Sequence, residues 1–138
     1  PEVEMHTTAY WIGFPCKLKS IMGKDGLENA LVGLSRLLVN IAPVFLMCDP
    51  GDINSVVQIR SPFTEKPTIF IYDSYPGGVG LSEKLFRIHG DLIFRSQQHL
   101  KSCACESGCP SCVGPASEVG LEGKAYTEKL LNYILQEN

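Results

Sequence analysis

Apolar and polar residues alternate from Val3 to Ile12, with Val3, Met5, Thr7, Ala9 and Trp11 on one side and Glu4, His6, Thr8, Tyr10 and Ile12 on the other. A period of two among β-branched and aromatic types predicts a strand, which Gly13 to Pro15 terminate. His6 lies on its more polar side and is read as a solvated side chain. The period then changes. Leu27, Ala30, Leu31, Leu34, Leu37, Leu38 and Ile41 recur at helical spacing and form one wide apolar stripe. Asp25 and Glu28 stand just ahead, three residues apart, as in a capping box, so the helix is expected to start at Asp25. Pro43 cannot continue a helix without a kink, which makes residues 42–47 a separate short turn of helix. Asp49-Pro-Gly-Asp52 marks a loop.

Two further strands are predicted, Val56–Arg60 and Thr68–Asp73, joined as a hairpin through Ser61 to Pro67. Thr68–Asp73 is apolar on both faces and belongs in the middle of a sheet. A long helix from Leu81 to Leu100 buries Leu81, Leu85, Ile88 and Leu92, and a last helix covers Lys124 to Leu135. The sum is an α+β fold: a small antiparallel sheet of Val3–Ile12, Val56–Arg60 and Thr68–Asp73, covered by the long helices that begin at Asp25 and Leu81.

A hydrophobic share of 44% in 138 residues is enough for one domain, 1–138, with a core of its own. The net charge of −3 supplies no basic field, so any contact with nucleic acid is expected to be local. No apolar run is read as long enough to cross a membrane, and reduced cysteine chemistry points to the cytoplasm. The opening at Pro1, already in a strand pattern, suggests a domain of a longer protein.

The most distinctive chemistry is Cys103-Ala-Cys105-Glu-Ser-Gly-Cys109-Pro-Ser-Cys112, four thiols in ten residues. A C-x-C pair and a C-P-x-C pair can meet at one point if the chain turns sharply between them, and Gly108 and Pro110 suit that turn. Four thiolates favour a tetrahedral structural Zn²⁺, a four-cysteine clip between the last two long helices that leaves no open position for catalysis. An iron–sulfur cluster is the alternative cofactor, and disulfides are a third possibility. Cys16 and Cys48 stand alone in apolar surroundings and read as buried thiols. His99, one helical turn before Cys103, could replace a thiolate, but with four cysteines at hand it is expected to bond a carbonyl instead.

A second stretch, Tyr72-Asp-Ser-Tyr75-Pro76-Gly77-Gly78-Val79-Gly80-Leu81, lies between a strand and a helix. Its glycines permit tight turning, and the helix start could receive a phosphate; close packing of helix on sheet is the simpler role. The candidates for nucleic-acid or anion contact are Tyr75, Gly77, Gly78, Gly80, Lys84 and Arg87, a stacking ring and cations around exposed N–H groups. Asp49, Asp52 and Asp73 at loop and strand ends could hold Mg²⁺ for a nuclease, although such residues more often shape turns.

The order of these motifs, Cys48-Asp-Pro-Gly-Asp52-Ile, then Tyr72-Asp-Ser-Tyr-Pro-Gly-Gly-Val-Gly-Leu81, then Cys-x-Cys-x₃-Cys-Pro-Ser-Cys, resembles the C-terminal zinc-binding domain of YprA/MrfA-type DEAD/DEAH-box helicases over roughly Tyr10 to Pro115. The resemblance implies that Cys103, Cys105, Cys109 and Cys112 ligate zinc. It also implies that the parent is an ATP-dependent 3′-to-5′ DNA helicase or translocase in DNA repair, or in phage defence. The chain carries neither a Walker A sequence nor a DEAD/DEAH box, so as a fragment it is expected not to be an enzyme itself. The expected partners are the motor domains of the same polypeptide and single-stranded DNA, with no membrane. The competing functions are a protein-interaction module without DNA contact and the metal-dependent nuclease.

Overall fold

The alternating N-terminal residues fold into two strands rather than one. A computed structural model of the chain describes residues 2–5, 9–61, 65–73 and 80–137. Its elements are β1 (Glu2–Met5), β2 (Ala9–Gly13), α1 (Lys17–Met22), α2 (Lys24–Leu46), β3 (Ile53–Gln58), β4 (Thr68–Asp73), α3 (Leu81–Arg87), α4 (His89–Ser102), α5 (Ala116–Val119) and α6 (Gly123–Glu137), with a 3-10 turn at Pro50–Asp52. The sheet has the order β1-β2-β4-β3 and every pairing is antiparallel. The single strand expected over Val3–Ile12 is thus a β-hairpin, with Glu2 opposite Gly13 and Met5 opposite Tyr10. No glycine, proline or asparagine lies between the two strands to mark the reversal. His6 lies outside the described residues.

β4 occupies the centre, as its apolar run requires. Tyr10 faces Ile71 and Ile12 faces Ile69 across the β2–β4 ladder. All four are fully buried, together with Ile53 at the start of β3. β3 itself begins three residues before the predicted Val56 and ends at Gln58 instead of Arg60. Trp11 and Phe70 pair in register, their rings tilted with centroids 6.5 Å apart.

Helix α2 is the axis of the helical layer. Leu27, Leu31, Leu34, Leu37 and Leu38 are fully buried, which realises the predicted stripe. The capping box expected at Asp25 and Glu28 does not form: the helix starts at Lys24 behind Gly23, which takes φ +79°. A capping box forms instead at the 3-10 turn, where the Asp49 N–H donates to the Asp52 carboxylate at 3.0 Å and the Asp49 side chain accepts from Asp52. Pro43 does not divide α2. It forfeits one backbone hydrogen bond, while Ala42 and Leu46 on either side are buried and hold the helix to its end. By length and composition α2 could cross a membrane, contrary to expectation; 61% of its apolar window is buried inside the fold, as for a core helix.

The helix predicted from Leu81 to Leu100 is broken at Ile88, where φ −99° and ψ 16° leave the helical region and separate α3 from α4. The break places His89 against the sheet, and the buried Tyr10 hydroxyl shares a hydrogen bond with His89 Nδ1. Burial raises the Tyr10 pKa and lowers that of His89, so both partners stay neutral. A histidine whose folded pKa is held below its unfolded value near 6.5 adds stability that is fully present above about 6.5 and is lost as pH falls from there through the depressed folded pKa. Denaturant midpoints should therefore drop below about pH 6.5, by less in His89→Gln, and Tyr10→Phe should cost about 1 kcal/mol at neutral pH. Equal pH profiles for the wild type and His89→Gln would rule out this burial effect.

Helix α6 crosses α2 where α2 has no side chain. A Cβ at Gly26 would meet the Tyr126 ring at 2.9 Å, and one at Gly33 would collide with Thr127 Oγ1 and lie 3.2 Å from Val113. Seven residues apart, the two glycines fall on one side of the helix and let α6 sit close. Of the isolated cysteines expected to be buried, Cys16 is exposed and Cys48 half-buried.

Candidate metal centre

The cysteine segment leaves α4 and is bent into two knuckles. Cys103 adopts an extended conformation, with its N–H on the Leu100 carbonyl at 3.3 Å. Gly108 (φ +129°) turns the chain between the pairs, and a Cβ there would strike the Gly114 carbonyl, so only glycine fits. The second knuckle closes on one carbonyl: Cys109 O accepts from Cys112 N–H at 3.0 Å and from Gly114 N–H at 2.9 Å.

The four sulfurs converge. Cys103 Sγ lies 3.4 Å from Cys105 Sγ and 3.5 Å from Cys109 Sγ; Cys112 Sγ lies 3.5 Å from Cys105 Sγ and 3.6 Å from Cys109 Sγ. All four lie within 4.8 Å of one another. Tetrahedral bonds of about 2.3 Å to one ion would separate the sulfurs by about 3.8 Å, so the cluster has the size and donor chemistry for a single tetrahedral cation. Cys112 and the following Val113 are fully buried, which ties this knuckle to the hydrophobic core. Cys109 is held down to about 6, first by the Ser111 hydroxyl 3.1 Å away and next by Cys103, whereas burial pushes Cys112 up to about 12. A bound cation must displace the protons that remain.

Side chains from three helices fasten the cluster. Lys124 of α6 donates to the carbonyls of Cys103 (2.8 Å) and Cys105 (2.6 Å), and Asn40 of α2 donates to those of Pro110 (3.1 Å) and Cys112 (2.9 Å). His99 Nε2 donates to the Ser111 carbonyl at 2.7 Å, the carbonyl-bonded role expected of it. Sequence reasoning missed Asn40, Ser111 and Lys124. Ser111 was within reach, since a hydroxyl inside a C-P-S-C knuckle can donate to a thiolate.

The second candidate site is described only at its helix end. Tyr75, Gly77 and Gly78 lie outside the described residues. Gly80 takes φ +84° ahead of α3, a conformation that calls for glycine, and among the described residues a Cβ there would meet nothing within 4 Å. Lys84 and Arg87 are exposed on α3, but Arg87 pairs with Glu83 one turn away. Among the described residues the four cysteines are the one group of potential metal ligands that converges, and Asp49, Asp52 and Asp73 form no such group. Asp49 and Asp52 cap their own turn, and with Asp73 they help burial raise the Cys48 thiol.

The model of the MrfA zinc-binding domain matches residues 34–113, from the middle of α2 through the second cysteine knuckle. The chain belongs to the MrfA zinc-binding domain family. It is 42% identical over 134 residues to the uncharacterised ATP-dependent helicase YprA of Bacillus subtilis (strain 168), covering 97% of this chain and 18% of that protein. Protein MJ1572.1 of Methanocaldococcus jannaschii is 38% identical over 79 residues, which is 55% of this chain and 70% of that one. Among solved structures, the chain is similar to the DUF1998 helicase MrfA bound to DNA, with a TM-score of 0.81 and 39% identity over 97% of this chain and 18% of that one. The chain therefore spans less than a fifth of the length of these helicases. The zinc-binding family and the sulfur cluster support zinc as the occupant of this site.

Proposed function

We propose that the chain is the zinc-stapled accessory domain of an ATP-dependent 3′-to-5′ DNA helicase or translocase of the cytoplasm, acting in DNA repair. Cys103, Cys105, Cys109 and Cys112 ligate one structural Zn²⁺, and the domain packs on the motor domains of the same polypeptide and supports their hold on single-stranded DNA. The convergence of the four sulfurs within one ion's reach, in a family named for zinc binding, carries this reading. Four sulfurs within 4.8 Å suit one cation better than an iron–sulfur cluster, whose bridging sulfides spread its thiolates further apart. Zinc held by four thiolates has no site for a reacting water, so its role is mechanical. Exposed Val44, Met47 and Phe94, on the C-terminal half of α2, at its cap and on α4, offer apolar area of the kind that packs on a neighbouring domain.

The residues proposed to contact DNA are Tyr75, Gly77, Gly78, Gly80, Lys84 and Arg87, a stacking ring, glycines and cations of the kind that hold a single strand; of these, Gly80 caps α3 and Lys84 and Arg87 lie on it. Because Arg87 is shared with Glu83, Lys84 should carry more of the phosphate interaction. In the intact protein, Lys84→Ala with Arg87→Ala should weaken binding to single-stranded DNA and flatten its salt dependence, by about 0.7 in the logarithmic slope for each phosphate that is no longer neutralised. An unchanged affinity and slope, measured by fluorescence anisotropy across a salt series, would remove DNA from this surface and leave a protein-interaction module.

A further inference from the structure

We infer that Lys124 and Asn40 complete the metal centre from outside the cysteine segment, one for each knuckle, and that Lys124 sets how firmly the ion is held by placing a positive charge beside the thiolates. The inference rests on zinc being the ion that the four cysteines hold. Four thiolates around a divalent cation carry two net negative charges, which a positive charge close by and donors on the surrounding backbone would stabilise. Lys124 brings a cation to the C-x-C pair. Its ammonium makes short bonds to the carbonyls of Cys103 and Cys105, the two residues of the C-x-C pair. The side chain is half-buried, so its charge is screened less than that of a surface lysine.

Asn40 performs the uncharged half of the task. Its amide spans the Pro110 and Cys112 carbonyls and fastens the C-P-x-C pair to α2. The two clamps come from helices that pack directly on each other, because Gly33 of α2 admits Thr127 of α6. A change in the α2–α6 crossing would therefore move one knuckle relative to the other. Lys124 lies beyond residue 113, where the family match ends, so the working metal module extends into α6. Partners of metal ligands commonly alter affinity by about 10- to 100-fold when removed.

The test is zinc transfer from the intact protein to a chromogenic chelator, with far-UV circular dichroism to confirm the fold. Lys124→Met, which removes charge and donors, should release zinc about tenfold faster than the wild type. Lys124→Gln, which keeps a donor but no charge, should fall between them, and Lys124→Arg should restore slow release. Asn40→Ala should accelerate release without the charge-dependent rescue. If Lys124→Met does not fold, the comparison of Gln with Arg decides the matter. Wild-type release rates in both Lys124→Met and Lys124→Gln, with zinc present, would overturn this inference alone. A wild type that contains no zinc would overturn the proposed function with it.

Discussion

Replacing Cys109 and Cys112 together by alanine should reduce bound zinc from about one per chain to a small fraction, since apparent zinc affinities of about 10–16 kcal/mol depend on the full ligand set. Hydrogen exchange should then accelerate over residues 103–123. The consequences should travel further than the cysteine segment. Cys112 and Val113 are buried in the core, and Lys124 is tied to the carbonyls of Cys103 and Cys105. The first turn of α6 should fray with the clip, while its later residues Leu130, Leu131 and Ile134, fully buried, stay in place. Amides in the middle of α2 and in β4 should keep slow exchange, because α2 touches the clip at Val113 but also packs on the sheet, α4 and α6, which hold it without the metal. In the intact protein, coupling to DNA should suffer more than nucleotide binding. Full zinc retention and unchanged unwinding by the double variant would refute the structural role of the clip.

Gly33→Leu should be the most damaging single substitution in the helical layer. Its Cβ alone would collide with the Thr127 hydroxyl, and that hydroxyl is held on the Gly123 carbonyl at 2.7 Å and cannot easily give way. Alanine at this position gains roughly 1 kcal/mol of helix propensity over glycine, which partly offsets the collision. Leucine adds further atoms in a region already filled by Val113 and Thr127, and the destabilisation should reach about 3 kcal/mol. Chemical denaturation of wild type, Gly33→Ala and Gly33→Leu should give a graded series. Because the same crossing holds Lys124 and Asn40 in register, Gly33→Leu should also accelerate zinc release. Equal stability for all three proteins would show that α6 can shift without cost.

Part of this arrangement could be read from residues close together in the chain. Strand β4 has the bounds its apolar run predicts, and the buried leucines of α2 follow the 3.6-residue period. The four sulfurs assemble where their spacing places them, because ten residues with Gly108 in the middle cannot carry the thiols far apart. Turns without turn-forming residues were not legible in the same way. The β1–β2 reversal has no glycine or proline signal, and the break at Ile88 interrupts an apolar pattern that continues on both sides. Helix α1, Lys17–Met22, was also missed. At Asp25, a capping pattern was present but Gly23, with its positive φ, provided the entry to the helix instead.

By itself, then, the sequence determined the chemistry of the site: four thiols with the donor type, number and local spacing for one tetrahedral ion. It also determined the layers, since periods of two and of 3.6 are properties of the chain alone. The tertiary structure decided what surrounds the ion. Lys124 and Asn40 reach the cluster only because α2 and α6 cross at Gly33 beside Val113, and nothing in the local sequence of either residue marks it as a clamp. A hydrogen bond between residues far apart in sequence depends on how whole helices pack. Packing is set by the combined shapes of many side chains, whereas a metal knuckle is set by a few neighbouring bonds.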